Sequence, residues 1–129
     1  MRKMKEAVYT DNAPKPVGPY SQGIASNGFL FISGQVPLDP KNGKLVSDNF
    51  EDQVRRVLEN LKAILEEANL TFDDLVKVTV FMKDPTKFSL FNNIYSTYFK
   101  GLFPARSVIF VNDLPVGAQI EIEAIAVKQ

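Results

Sequence analysis

The stretch Ala118–Val127 reads as a strand that is apolar on both faces. Ile120, Ile122, Ala124 and Ala126 fall on one side, while Ile125 and Val127 join Glu121 and Glu123 on the other. Phe29–Ile32 is likewise apolar on both faces, and Val108 with Phe110 opposes Ile109 with Val111. Strands of this kind need cover on both sides of their sheet, and the pattern supplies two helices. The first carries the stripe Phe50, Val54, Val57, Leu58, Leu61, Ile64, Leu65 and Ala68; the second follows Pro85, with Phe88, Phe91, Tyr95, Tyr98 and Phe99 on one side. Two helices cover one face of such a sheet. The other face is then a large apolar patch, which soluble monomers avoid. The pattern predicts an α+β fold, a mixed sheet with two helices on one face, that oligomerises through its bare side.

The remaining strand candidates are Glu6–Thr10, Gln22–Ala25, Phe29–Ser33, Leu75–Met82 and Arg106–Val111, and Asn27-Gly28 marks a tight hairpin. Alternation of strands with helices, plus hairpins at both ends, completes the expected layout. Asp48 with Glu51 resembles a capping box at the start of the first helix, and Asn69 is placed to end it in a left-handed turn. With 129 residues the chain is one domain, 1–129, by the rule of roughly 150 residues per domain. Pro14, Pro16, Pro19 and Gly18 form a stiff extended arm.

Composition removes whole classes of chemistry. Cys and His are absent, which excludes thiolate nucleophiles, disulfides, zinc ribbons, Ser-His-Asp triads and His-ligated metals. Catalysis must come from carboxylates, Arg, Lys, Tyr, hydroxyls, amides, backbone and water. No metal site and no cofactor fingerprint such as a P-loop is expected. Fifteen basic and fifteen acidic side chains give a net charge of zero, which offers no electrostatic case for nucleic acid or an anionic membrane. With no long apolar run and no signal-peptide pattern, the expectation is a soluble, cytoplasmic protein.

One constellation carries chemistry. Pro104-Ala105-Arg106-Ser107 opens a strand, and Leu114-Pro115-Val116-Gly117 turns the chain toward the next. If Val111 pairs with Ala118, then Val108 sits opposite Glu121 and Arg106 opposite Glu123. Arg106, Glu121 and Glu123 then share the helix-free face, with Arg106 and Glu121 diagonal neighbours roughly 7–8 Å apart. A slip of one residue separates them. Two readings stand at this point. One is an interfacial salt bridge that sets the register of the oligomer. The other is a site for a small anionic substrate, in which Arg clamps a carboxylate and Glu handles a proton. Asn92 falls within the aromatic arc of the second helix, as a solvated edge position or a bond to backbone.

The chain resembles the RidA (YjgF) family, the reactive intermediate deaminases. The resemblance is carried by Asn12-Ala13-Pro14, Gly18-Pro19-Tyr20-Ser21-Gln22, Ser33-Gly34-Gln35-Val36-Pro37, Val76-Lys77-Val78-Thr79-Val80, Asn92 with Tyr95, Pro104-Ala105-Arg106-Ser107 and Ile120-Glu121-Ile122-Glu123-Ala124, in order over nearly the whole length. It implies the family's chorismate-mutase-like α+β fold and a homotrimer with a central barrel and intersubunit pockets. It also implies hydrolysis of 2-imino acids, such as 2-iminopropanoate and 2-iminobutanoate, to 2-keto acids and ammonia without metal or cofactor. Such imines arise from enamines released by pyridoxal-phosphate-dependent Ser and Thr dehydratases. By the same resemblance Arg106 binds the substrate carboxylate, with the backbone N–H of Val108 as second donor, and Glu121 orients water and takes its proton. Tyr20, Ser33, Gly34 and Asn92 match the other pocket positions, and Glu123 is assigned to structure across the barrel. Many relatives carry Cys or a small residue where this chain has Val108. Rival readings are a regulatory module that binds small carboxylates without turnover, and a ribonuclease or translation inhibitor. The glutamate discriminates: a binder needs the arginine and has no need of Glu121.

Overall fold

The computed structural model describes residues 4–128. Along the chain lie β1 (Glu6–Val8), β2 (Gly23–Ser26), β3 (Phe29–Gln35), α1 (Phe50–Glu67), β4 (Leu75–Met82), α2 (Phe88–Ser96), β5 (Ala105–Phe110) and β6 (Ile120–Val127). The strands form one mixed sheet in the order β1-β2-β3-β6-β4-β5. All pairs are antiparallel except β4 with β5, which run parallel and are joined through α2 as a crossover demands.

Both helices lie on one face. Val54, Val57, Leu58, Leu61, Ile64 and Leu65 of α1, with Phe91, Ile94 and Tyr95 of α2, are buried against Leu30, Ile32, Val78, Val80, Met82, Ile120, Ile122, Ala124 and Ala126 of the sheet. The opposite face is bare and apolar, as the strand pattern requires. Phe29, Phe31 and Ile109 are 42%, 44% and 44% exposed, and Ile24, Phe81, Ile125 and Val127 are half-buried beside them.

Most elements match expectation with shifted ends. β1 stops at Val8 because the Thr10 N–H is taken by the Gln22 side chain, which removes it from the ladder. β3 runs on to Gln35 through a register irregularity after Ile32. Asn27 and Gly28 turn the first hairpin with positive φ at both residues, and Asn69 ends α1 in the same region. α2 closes at Ser96, so Tyr98 and Phe99 pack from the following turn.

The C-terminal hairpin is not formed. β5 and β6 do not pair; β4 stands between them, bonded to β5 through Val78↔Arg106 and to β6 through Val78↔Ala124. The segment 111–119 crosses the end of β4, where the Val111 N–H bonds the Met82 carbonyl and the Lys83 N–H bonds the Gln119 carbonyl. The physical reason is burial. β4 and β6 are the two eight-residue strands, and pairing them buries their apolar rows under both helices. The shorter, largely exposed β5 is left at the edge.

The helix cap also differs from the expected Asp48–Glu51 box. Asn49 is the cap, its Oδ1 accepting the Asp52 N–H at 2.9 Å. Asn49→Ala is therefore expected to cost about 1 kcal/mol, and Asp48→Ala to stay within about 0.5 kcal/mol of the parent. Urea denaturation of the two variants reads the difference.

Candidate functional site

The positions singled out in the sequence, Val108 apart, fall into two clefts on opposite faces of the sheet. Register settles this. Arg106 shares a row with Val78 and Ala124, under α2, whereas Glu121 shares a row with Phe81 and Ile109 on the bare face. The expected sharing of one face by Arg106, Glu121 and Glu123 is thus corrected. With β4 inserted, Arg106 is not a cross-strand neighbour of either carboxylate.

The first cleft lies at the β5 edge, a cavity of about 350 Å³ lined by Asn92, Tyr95, Ser96, Phe103, Pro104 and Arg106. The Arg106 guanidinium carbon sits 5.0 Å from the Tyr95 ring centroid, 5.6 Å from that of Phe91 and 5.8 Å from that of Phe88. Among the described residues it has no carboxylate partner. Asn92 Oδ1 and the Tyr95 hydroxyl are buried beside it with no hydrogen-bond partner among the described residues. Burial pushes the Tyr95 hydroxyl up to about 12, against the pull of Arg106, and the group remains a neutral donor. The ladder accounts for Val108. The Val111 N–H points to β4, so alternation along a parallel strand turns the N–H of Arg106, Val108 and Phe110 toward the open edge.

The second cleft lies between the end of β3, the start of β6 and the Pro-rich arm, with a volume of about 510 Å³. Tyr20, Ser33, Gly34, Glu121 and Glu123 line it, with Val17 and Val116 at its mouth. Gly34 lets the Glu121 carboxylate lie where it does: a Cβ at this position would overlap it and push that side chain aside. The Tyr20 hydroxyl accepts the Val17 N–H at 3.3 Å and keeps its own hydrogen to donate. Ser33 acts as a tie, its hydroxyl donating to the Ser21 carbonyl at 2.5 Å and its N–H to the Gln22 carbonyl at 2.9 Å. Glu121 is half-buried; burial first, and the neighbouring Glu123 charge second, raise its pKa above the usual carboxylate range.

Two buried amides that the sequence reading passed over hold this cleft together. Gln22 accepts the Thr10 N–H and donates to the Thr10 and Pro14 carbonyls, fixing the arm that delivers Tyr20. Gln53 of α1 accepts the Gln119 N–H at 2.9 Å and donates to the Ser47 carbonyl at 2.7 Å, pinning the chain just ahead of Glu121. The available signal was a glutamine on the inner side of α1, beside Val54 and Val57. A larger cleft, of about 690 Å³, opens beside β1 and is lined by none of the expected site residues.

Sheet, helices and clefts define a small α+β protein whose candidate site is divided between two faces of one sheet. Residues 10–128 match the family model described as Endoribonuclease L-PSP. A RutC family protein of Pyrococcus horikoshii is 52% identical over 126 residues, covering 98% of this chain and all of that one. A solved structure of a conserved Rid family protein from Yersinia pestis superposes with a TM-score of 0.93 at 48% identity, covering 95% of this chain and 98% of that chain. E. coli TdcF, solved with bound serine, gives a TM-score of 0.92 at 38% identity, covering 96% of this chain and 99% of that chain. The chain belongs to the Rid family, the RidA/YjgF proteins its motifs resemble.

The raised Glu121 carries a stability signature. Between the ordinary carboxylate value and its raised value the folded chain holds a proton that the unfolded chain has released. Stability is therefore lost as pH rises through that window. Asp84, lowered by bonds from Thr86, works in the opposite direction at lower pH and is common to parent and variant. Subtracting the pH–stability profile of Glu121→Gln from that of the parent is expected to leave a fall with rising pH; a flat difference contradicts the burial of this carboxylate.

Proposed function

We propose that the chain hydrolyses 2-imino acids, such as 2-iminopropanoate and 2-iminobutanoate, to 2-keto acids and ammonia, at a site shared between copies of the chain. The observation that carries the reading is the division of the site. An unneutralised arginine and a glutamate of raised proton affinity lie in clefts on opposite faces of one sheet. The β5 edge of one copy laid over the Gly34–Glu121 cleft of the next unites them and covers the bare apolar face. Such a contact joins two different surfaces, so it propagates head to tail and forms a ring where the rotation closes. The family resemblance makes that ring a homotrimer.

In the united site Arg106 binds the substrate carboxylate with two charge-assisted bonds, and the edge N–H of Val108 adds a third donor. Glu121, ionised, takes a proton from water as the water oxygen bonds to the iminium carbon. The tetrahedral adduct then collapses: Glu121 returns its proton to the nitrogen, the C–N bond breaks to release ammonia, and Glu121 takes the hydroxyl proton and passes it to that ammonia, leaving the carboxylate ionised again. The overall change is iminium acid plus water to keto acid plus ammonium. A protonated imine is already electrophilic, so the residues present suffice without a metal or cofactor. Tyr20 offers its hydroxyl hydrogen, Asn92 its unpaired Oδ1, and Gly34 the approach of Glu121 to the substrate; Ser33 holds the arm in place. Dehydratases that use pyridoxal phosphate on Ser and Thr supply such imines, and the proposed compartment is the cytoplasm.

A second reading is a module that binds small carboxylates without turnover, and the E. coli relative solved with bound serine favours it. The endoribonuclease description of the family model finds little support in a chain with zero net charge and no His.

The deciding experiment generates imines in situ with a Thr or Ser dehydratase and follows semicarbazone trapping. Faster loss of trappable imine supports hydrolysis; an unchanged rate leaves the binder. Losing a charge-assisted bond costs about 1.5–3 kcal/mol, so Arg106→Ala is expected to lower kcat/KM by about two orders of magnitude or more. Arg106→Lys recovers little, because a point charge lacks the guanidinium fork. Glu121→Gln depresses kcat while keto acids still bind. Full activity in that variant refutes the base assignment.

A further inference from the structure

A half-buried guanidinium is ordinarily matched by a carboxylate, because an unpaired charge away from water is costly. Arg106 has none among the described residues, and its near neighbours are three aromatic rings of α2. Phe88, Phe91 and Tyr95 follow one another at steps of three and four residues, so one side of the helix presents them together. All three centroids lie within the roughly 6 Å over which a ring attracts a cation. The rings are themselves braced. Phe91 and Tyr95 are tilted against each other at 5.3 Å, Tyr95 meets Phe99 at 4.8 Å, and Phe88 meets Phe110 edge-on at 6.3 Å.

Ring faces and carboxylates hold an arginine in different ways. A carboxylate occupies two of the five N–H donors in the guanidinium plane and cancels the charge. An aromatic face attracts the cation through its quadrupole, adds no formal charge and leaves the in-plane donors unoccupied. We propose that Phe88, Phe91 and Tyr95 are positioning residues: they form a cradle that fixes Arg106 and keeps its charge and N–H fork for an incoming carboxylate ligand. The inference rests on the reading of Arg106 as the carboxylate clamp and adds the residues that make the clamp available. Tyr98 packs on the Phe72 ring, bonds Glu59 and plays no part in the cradle.

The test uses the full chain and pyruvate, a stable 2-keto acid. Isothermal titration gives its Kd, and the Arg106 Nε–Hε resonance, assigned by its loss in Arg106→Ala, reports ring-current shielding. Phe88→Leu removes one face near the edge of the core. It is expected to raise the Kd between about two- and thirtyfold and to move the resonance toward the position of a solvated arginine. Phe88→Tyr restores the ring and brings both readouts back to the parent's. A role in volume alone leaves the resonance indifferent to whether the ring is present. If Phe88→Leu does not fold, Phe88→Met, which fills the same gap with a flexible chain, takes its place. A folded variant that lacks the ring yet keeps the parental Kd and resonance overturns the cradle. If instead Arg106→Ala binds pyruvate as the parent does, the clamp reading fails; the resonance alone then decides whether the cradle exists.

Discussion

The pairing of β4 with β6 is the constraint on which the rest of the molecule depends. Both strands are eight residues long and carry unbroken apolar rows toward the helices, so their mutual pairing buries more apolar surface than a β5–β6 hairpin would. Once β4 occupies the place beside β6, β5 is forced to the edge and runs parallel to β4. Arg106 then points under α2 while Glu121 points to the bare face. Burial of hydrocarbon thus decides where the charges go. A chain that brought Arg106 and Glu121 together by itself would need a different sheet.

The sequence made the architecture readable wherever one periodicity dominated. The stripe of α1, the Asn27-Gly28 turn and the alternation of β6 each specify their element through local chemistry, and the bare apolar face followed from counting helices against strand faces. What escaped was the choice of partner strand. Val108 and Phe110 alternate with Ile109 and Val111 whichever neighbour β5 takes, so its composition is silent on whether that neighbour is β4 or β6. The same blindness misplaced Arg106 relative to both carboxylates. Motifs single out individual residues; their grouping into two clefts was not legible, because grouping is a property of the sheet. Gln22 and Gln53 went unread for a related reason. Each satisfies backbone groups of distant segments, and nothing local marks a glutamine for that task.

Both clefts hold charge in an unrelieved state. Among the described residues Arg106 lacks a carboxylate, Glu121 is half-buried next to a second carboxylate, and Asn92 and Tyr95 each leave a polar atom without a partner. Local rules of polar satisfaction and charge pairing are broken at these positions, while the buried amides of Gln22 and Gln53 obey them. Natural chains concentrate such violations where they bind or react. The cost is carried by a well-filled core of aliphatic and aromatic side chains on the covered face. The proposed approach of another copy of the chain would relieve the unsatisfied groups and cover the bare apolar face together.

Mixed assembly tests that account most directly. Arg106→Ala and Glu121→Gln, each expected to be nearly inactive alone, are co-refolded with distinct tags and the doubly tagged species is isolated. If the site takes Arg106 from one copy and Glu121 from the next, every doubly tagged ring of three holds an intact pair at one of its junctions, roughly one third of the sites. Imine hydrolysis is then expected to return to about that fraction of the parent's. Doubly tagged assemblies that stay at the level of the two variants alone would contradict a shared site.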